Sequence, residues 1–276
     1  MIFNEVPSRA EFASLVKALL VLMLWILLTF VMVVIANIRT LLFMNMASLL
    51  SAILLVVLFN KLLDGENMAV VLGQINKRVV VSALIRGILL AFISFSATIS
   101  VFILLFNVSI HLLLSVDCNI FCSFLAVLLG SIGEELVIRG YFLKNVMKMG
   151  KTLAIIASSV AFALLHINNP GFSVTAFFFL LMAGIFLATL RLKTGTLLSA
   201  IGFHIGWNAS EGCVFGFPIS GISLCSIFIV KGDLPWWFVG RTFGPEEGLL
   251  GFIALILSCI FYPRVLPIST NQHSNS

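Results

Sequence analysis

The sequence has little charge. Asp, Glu, Lys and Arg together make up 10% of its 276 residues, and only 11 residues are acidic. Soluble domains carry about 25% charged residues, whereas 61% of this chain is hydrophobic and its mean hydropathy is +1.19. These values exclude a soluble globular protein and indicate an integral membrane protein.

The sequence also lacks a dense basic cluster. Its net charge is +5, but Lys and Arg are dispersed among the connections between apolar runs, which excludes a nucleic-acid partner. Three connections hold most of them: Lys61, Lys77 and Arg78; Arg139, Lys144, Lys148 and Lys151; and Arg191 and Lys193. When the spans are counted, these connections fall on one side of the membrane. The positive-inside rule therefore predicts a cytoplasmic amino terminus.

Long apolar runs are what the sequence does contain. Because about 20 residues of helix cross the hydrocarbon layer, these runs predict an all-α, polytopic transmembrane helical bundle of seven or eight spans. The predicted helices are 15–36, 41–59, 79–106, 120–146, 154–166, 174–190, 196–209 and 249–261. We expect 107–119 to be a partly helical connection and 191–195 a turn. Glycine and proline interrupt 212–230, which predicts a distorted or re-entrant helix there.

Two adjacent glutamates occur inside this apolar chain. Glu134 and Glu135 lie in a predicted membrane helix, where each carboxylate costs on the order of 2.5–3.5 kcal/mol to insert. A functional site is therefore the default interpretation. Arg139 follows Glu135 by four residues, so the two can pair on one helix face. Glu134 then points about 100° away and is a free carboxylate suited to act as a general base.

Three further polar residues lie in other predicted helices. His204 and Asn208 share a helix face and could donate hydrogen bonds to an oxyanion; alternatively, His204 could bind a metal while Asn208 orients its ring. His166 closes a short helix and, with Glu134, could deprotonate a water molecule directly or through zinc. A simpler interpretation also stays open, in which these side chains only hold helices together.

The other acidic residues near these helices receive a simpler interpretation. Glu211 lies seven residues after His204, and we expect it to face water at the helix end. Glu246 and Glu247 follow a Gly-Pro pair. We expect them to form a solvated helix start, where acidic side chains meet the positive end of the helix dipole.

Three motifs occur in order over 75 residues: Glu134-Glu135-x-x-x-Arg139, Phe162-x-x-x-His166 and His204-x-x-x-Asn208. Together they resemble the motifs of the CAAX protease and bacteriocin-processing family, also called CPBP or Abi. Its members are intramembrane endopeptidases related to the type II CAAX prenyl protease. The resemblance implies a bacterial protein of the plasma (inner) membrane.

The resemblance also implies a role for each motif residue. The implied roles are water activation by Glu134 and His166, oxyanion stabilisation by His204 and Asn208, and support of the site by Glu135 and Arg139. If a metal such as Zn²⁺ is used, Glu134, His166 and His204 are its ligands. A metal-free glutamate mechanism is the alternative, because the same three groups can serve as base and oxyanion donors.

The predicted organisation has four parts. They are a cytoplasmic amino-terminal segment (1–14), amino-terminal transmembrane helices (15–119), a CPBP-like catalytic helical core (120–262) and a polar carboxyl-terminal tail (263–276). We expect the partners to be the lipid bilayer and a peptide or protein substrate at or in the membrane. Substrate identity, oligomeric state and the choice between bacteriocin processing and immunity stay open. The alternative function is non-enzymatic, either a proton- or ion-coupled transporter or a bacteriocin-immunity scaffold.

Overall fold

Helices make up most of the protein. The computed structural model describes residues 8–73, 77–106, 108–113 and 119–266. The α-helices of this part are α1 (Arg9–Ile35), α2 (Leu41–Leu62), α3 (Met68–Leu72), α4 (Lys77–Leu105), α5 (Ile120–Glu135), α6 (Leu143–Val146), α7 (Lys151–Leu165), α8 (Val174–Thr194), α9 (Leu197–Asn208), α10 (Trp236–Val239) and α11 (Leu249–Val265). Two π-helical segments, Leu136–Phe142 and Ala209–Val214, continue α5 and α9. The strands are β1 (Ser109–Leu112) and β2 (Phe228–Lys231).

Several helices of the described chain can span a membrane. Five are long and apolar enough: Arg9–Ile35, Leu41–Leu62, Val80–Leu105, Ile120–Met149 and Val174–Thr194. Helices α7 and α11 are apolar but shorter. Large apolar side chains are exposed along α1, including Phe30 and Ile35, as expected of a surface that faces lipid. The predicted all-α polytopic bundle is confirmed, while the number of spans stays a prediction.

Helix α1 begins earlier than predicted. The sequence suggested a polar segment up to residue 14, but the helix begins at Arg9. Ser8 caps it, because its hydroxyl accepts a hydrogen bond from the Glu11 backbone N–H while its own N–H donates to the Glu11 carboxylate, 2.7 Å away. This reciprocal capping satisfies two backbone donors and extends the helix into the polar segment. Residues 1–7 lie outside the described chain.

Two helices also end later than predicted. Helix α8 continues through Thr194, so the predicted turn at 191–195 is wrong; Gly195 ends the helix in the left-handed conformation, at φ 71°, which glycine adopts without a steric penalty. Helix α11 runs to Val265, so the predicted polar tail begins as helix. The rest of that tail, from residue 267, lies outside the described chain.

Strands β1 and β2 replace two predicted helical segments. They pair antiparallel, with Ser109 opposite Lys231 and Leu112 opposite Phe228. The predictions of a partly helical connection at 107–119 and of a distorted helix at 212–230 are therefore wrong for the described residues. Helical backbone ends at Val214, and Gly216 follows at φ 74°, which a right-handed helix excludes.

Close packing of α4 against α9 positions the centre of the bundle. Gly202 and Gly206 lie four residues apart on α9, and both face the backbone of α4: a Cβ at Gly206 would be 2.6 Å from the Ile88 carbonyl oxygen, and one at Gly202 would collide with the Leu84 carbonyl oxygen. On α4, a Cβ at Gly87 would be 2.7 Å from a backbone nitrogen of α9. Small residues spaced in this way let membrane helices approach closely. His204 lies between the two glycines of α9.

We expect Gly202→Ala to destabilise the protein by about 1–3 kcal/mol, the usual cost of overpacking a core. The added methyl group meets rigid backbone of α4 rather than a side chain that can move. Gly133→Ala is the matched control, because its Cβ would have its nearest neighbour at 3.4 Å, an ordinary contact. The resistance of the purified variants to unfolding by heat or denaturing detergent measures the effect. Equal resistance of both variants would contradict the proposed packing constraint.

A polar cluster ties α1, the α2–α3 connection and α6 together at one end of the bundle. Lys144 donates to Asn60 at 2.7 Å, Asp64 at 3.0 Å and Glu66 at 2.6 Å, and Lys17 donates to Asp64 at 2.8 Å. Burial opposes ionisation of Asp64, but the ammonium groups of Lys17 and Lys144 outweigh it and lower the pKa of this carboxyl. Asp64 is thus charged when the protein is folded.

The lowered pKa of Asp64 predicts a pH-dependent part of the stability. A carboxyl whose folded pKa lies below its unfolded value contributes stability above the unfolded pKa and loses it as the pH falls through the folded pKa. We expect acidification below the ordinary value of 3.8 to lower the Tm of the parent more than that of Asp64→Asn. Tm measured from neutral pH down to about pH 3 tests this. Asp233→Asn, at an exposed position, is the control and should follow the parent.

Candidate active site

The glutamate pair lies where α5 changes into a π-helical segment. Glu135 is the last residue of α5, and Arg139 lies in the π-helical turn that follows. The Arg139 Nη1 donates to Glu135 Oε1 at 2.8 Å, and both side chains are fully buried. The ion pair that the sequence predicted is present. Single π-helical turns often occur at functional sites, and this one contains Arg139.

Glu135 also contacts His204, a link that the sequence analysis missed. The His204 Nδ1 lies 3.0 Å from Glu135 Oε1; because Glu135 is paired with Arg139, the imidazole donates and the carboxylate accepts. This contact joins α5 to α9 and fixes the ring with Nε2 turned toward Glu134, 3.9 Å from its Oε2. A neutral ring in this tautomer has a lone pair at Nε2. His204 can therefore donate a hydrogen bond from Nε2 only when it is protonated. The predicted oxyanion role of His204 thus requires its imidazolium form.

His166 is fixed in a similar way. It caps the carboxyl end of α7, and its Nδ1 donates to the Phe162 carbonyl oxygen at 2.9 Å. The Phe162 ring packs edge-on against both imidazoles, with centroid distances of 5.0 Å to His166 and 5.7 Å to His204. The Arg139 guanidinium lies 4.1 Å from the centre of the same ring, a cation–π distance. Phe162 thus spaces the two histidines, and the Nε2 atom of each has no hydrogen bond to another described residue.

The predicted catalytic residues line one internal cavity. It has a volume of about 120 Å³ and is bounded by Glu134, His166, His204 and Asn208, with apolar walls from α8 and α11. The Glu134 side chain is 27% exposed, and its Oε2 is buried without a hydrogen-bond partner among the described residues. This volume holds several water molecules. Glu135 and Arg139 do not line the cavity, but they contact two residues that do, His204 and Phe162.

The predicted metal ligands can be compared with the needs of a zinc ion. By donor chemistry they suit zinc, since both imidazoles have a lone pair at Nε2 and Glu134 has an unbonded oxygen. Among the described residues, however, no group of three His, Cys, Asp or Glu side chains is close enough to hold one ion. The set Glu134, His166 and His204 fits zinc by ligand type, and binding of a metal by these three residues stays a prediction.

Two buried carboxyl groups next to the cavity correct the sequence analysis. Glu211 is fully buried, and Glu246 is 4% exposed, so the predictions that they face water are wrong. The reason is tertiary: the loops at 215–221 and 240–248 fold back over the end of α9, and Gly244 lies directly against Glu211. Glu246 lines the cavity and accepts a hydrogen bond from the Ser220 hydroxyl. The sequence signal for a role of Glu211 and Glu246 is that acidic residues are scarce in this chain.

The fold and the cavity define a class of protein. This is an integral membrane protein with an all-α bundle, in which Glu, His and Asn side chains from α5, α7 and α9 meet in one internal cavity. Residues 115–210 match the family model of Rce1-like proteins, described as type II CAAX prenyl endopeptidase Rce1-like. The matched segment contains all six predicted site residues, and the resemblance inferred from the motifs is confirmed there. The match supports a protease of the CAAX intramembrane type. No curated protein matches the chain.

Proposed function

We propose that this protein is an intramembrane endopeptidase of the CAAX-protease and bacteriocin-processing type, which hydrolyses a peptide bond of a membrane-associated or short peptide. One observation carries the proposal: Glu134, His166, His204 and Asn208 come from three helices and line a single cavity. A purely structural set of polar residues would pair with one another across the helices. These side chains instead leave Glu134 Oε2 and two imidazole nitrogens unbonded within the described protein.

Glu134 and His166 are suited to activate water. The unbonded Glu134 carboxylate accepts a proton from a water molecule in the cavity, and His166 Nε2 accepts a hydrogen bond from the same molecule. The water oxygen then attacks the carbonyl carbon of the scissile bond.

His204 and Asn208 are suited to stabilise the oxyanion. The Asn208 amide donates as it stands, while His204 donates from Nε2 in its imidazolium form, with Glu135 holding Nδ1 and Glu134 near Nε2. A group that acts where negative charge develops typically contributes about 3–4 kcal/mol to the transition state. Every step is assigned to side chains of this chain. If zinc binds, it would supply Lewis-acid activation of the water.

The location of the cavity indicates the kind of substrate. Its walls combine the polar groups with apolar side chains of α8 and α11, and the helices around it face lipid. We infer a substrate that reaches the site from the membrane or its edge. The plasma membrane of a bacterium and a cytoplasmic amino terminus are parts of this proposal, as are processing of a bacteriocin and immunity to one.

The test is cleavage of a quenched fluorescent peptide library by the purified protein in detergent and in liposomes. We expect the parent to cut defined bonds, identified by mass spectrometry, and His166→Ala to lose most of the rate. A parallel assay with a chelator, followed by added zinc, separates metal-dependent from metal-free chemistry. No cleavage of any peptide by well-folded parent protein, together with ion-dependent flux in the liposomes, would instead support the transporter alternative.

A further inference from the structure

A second carboxyl pair adjoins the proposed active site. Glu211 extends from the π-helical end of α9 and Glu246 from the short 3₁₀ turn Pro245–Glu247. The two interact electrostatically, and both are almost completely buried. Neither has a Lys or Arg ion-pair partner among the described residues. The pair is unlike Glu135, whose charge Arg139 balances.

Two independent observations distinguish this pair from an ordinary acidic cluster. Both carboxyl oxygens of Glu211 are buried without a well-formed hydrogen bond in the described protein, and the Trp207 indole and the Glu246 backbone N–H interact with them only weakly, a state that is costly for an ionised group. Glu246 faces the cavity that holds Glu134, His166 and His204. Glu211, a buried acid, therefore interacts with Glu246, an acid that lines the cavity and can meet substrate.

Adjacent buried carboxylates without a cation cannot both be ionised, so such a pair holds a proton. Burial raises the pKa of the Glu246 carboxyl, an effect that the Ser220 hydroxyl and the charges of His166 and His204 reduce. The side chain of Glu134 is more exposed than that of Glu246, at 27%. The cavity thus contains one carboxyl group placed to accept a proton and another placed to donate one, a division typical of acid–base catalysis.

We propose that Glu246 is a further catalytic residue, the general acid that protonates the leaving amine, with Glu211 as the positioning residue that shares its proton. In the step, a bond forms between water oxygen and the carbonyl carbon, and the water proton passes to Glu134. The C–N bond then breaks, and its electron pair takes the proton of Glu246. The products are a carboxylic acid and an amine; Glu134 returns its proton to solvent, and the pair regains one from it. This inference rests on the proposed peptidase function.

Leaving-group dependence tests the proposal. A library peptide that the parent cuts is made in two forms. In one, the leaving group is 4-aminobenzoate, joined by an amide bond; in the other, it is 4-hydroxybenzoate, joined through its phenol oxygen by an ester bond. An amine departs only after protonation, whereas a phenolate departs unaided. We expect Glu246→Gln to lower kcat for the amide by about 100-fold or more and to change that for the ester by less than about threefold. Glu247→Gln is the matched control and should cut both substrates like the parent.

The alternatives give different results. Equal losses for amide and ester would assign Glu246 a structural role, and no loss for either would remove it from the mechanism; both overturn the proposal while the peptidase function stands. A parent that cuts nothing overturns the function and this inference together. Infrared spectra provide a second readout: we expect a protonated carboxyl band at neutral pH whose frequency or intensity changes in Glu211→Gln and in Glu246→Gln and stays the same in Glu247→Gln. Its absence from the parent would also contradict the shared proton.

Discussion

Glu134→Gln is expected to lower kcat for peptide hydrolysis by about 100- to 10,000-fold, the usual contribution of a general base. The amide has almost the same shape as the carboxylate but cannot accept the proton of the attacking water. Because Glu134 Oε2 has no hydrogen-bond partner within the described protein, the substitution breaks no hydrogen bond at that atom. We therefore expect the Tm to stay equal to that of the parent or to rise. The measurements are kcat on a cleaved library peptide and Tm of the same preparation.

The control for this variant is Glu247→Gln, which makes the same chemical change outside the cavity and should retain full activity. Comparing the two separates loss of the base from a general effect of removing one negative charge. Wild-type kcat in Glu134→Gln would remove Glu134 from the mechanism. A large fall in Tm would show instead that the carboxylate has a structural partner.

Arg139→Met is expected to destabilise the protein by about 3–5 kcal/mol, the cost of leaving one member of a buried ion pair uncompensated. Arg139 and Glu135 are fully buried and 2.8 Å apart, so no water replaces the lost guanidinium. The contact of the guanidinium with the Phe162 ring is lost as well. Activity should fall with stability, because the ring of His204 depends on Glu135. Unfolding by denaturing detergent, followed by helical circular dichroism, measures the loss.

A double variant separates the two consequences. In Glu135→Met with Arg139→Met, neither buried charge remains, and replacement of a buried ion pair by apolar side chains is often neutral or stabilising. We expect stability to return and activity to stay low, because His204 Nδ1 has lost its acceptor and the ring is free to turn. Recovery of activity together with stability would contradict the orienting role of Glu135. Undiminished stability of Arg139→Met would contradict the energetic importance of the pair.

The Glu135 carboxylate contacts both a structural residue, Arg139, and a cavity residue, His204. It accepts from Arg139 within its own helix and from His204 on another. One buried acid therefore balances a cation, joins α5 to α9 and fixes the tautomer of an imidazole that faces the cavity. This arrangement gives two adjacent glutamates different surroundings: Glu135 forms hydrogen bonds inside the protein, and Glu134 lines the cavity.

The sequence by itself determined the features that depend on composition and on helical spacing. Apolar runs of about 20 residues specify membrane helices because the bilayer has a fixed thickness. Glu135 and Arg139 are paired because residues four apart meet on any helix. The four cavity residues could be named for a similar reason. Each is a polar group in an apolar helix, and the free-energy cost of inserting such a group indicates a function.

Only the tertiary structure decided which residues of distant segments are in contact. The Glu135–His204 contact joins residues 69 positions apart, and no local spacing encodes it. Glu211 and Glu246 were predicted to face water because each follows a helix end or a glycine; two loops fold over them and bury both. The ligand spacing that a metal requires is likewise set by how α5, α7 and α9 pack. Helix formation is a local property, whereas burial and side-chain convergence arise only when the helices and loops pack together.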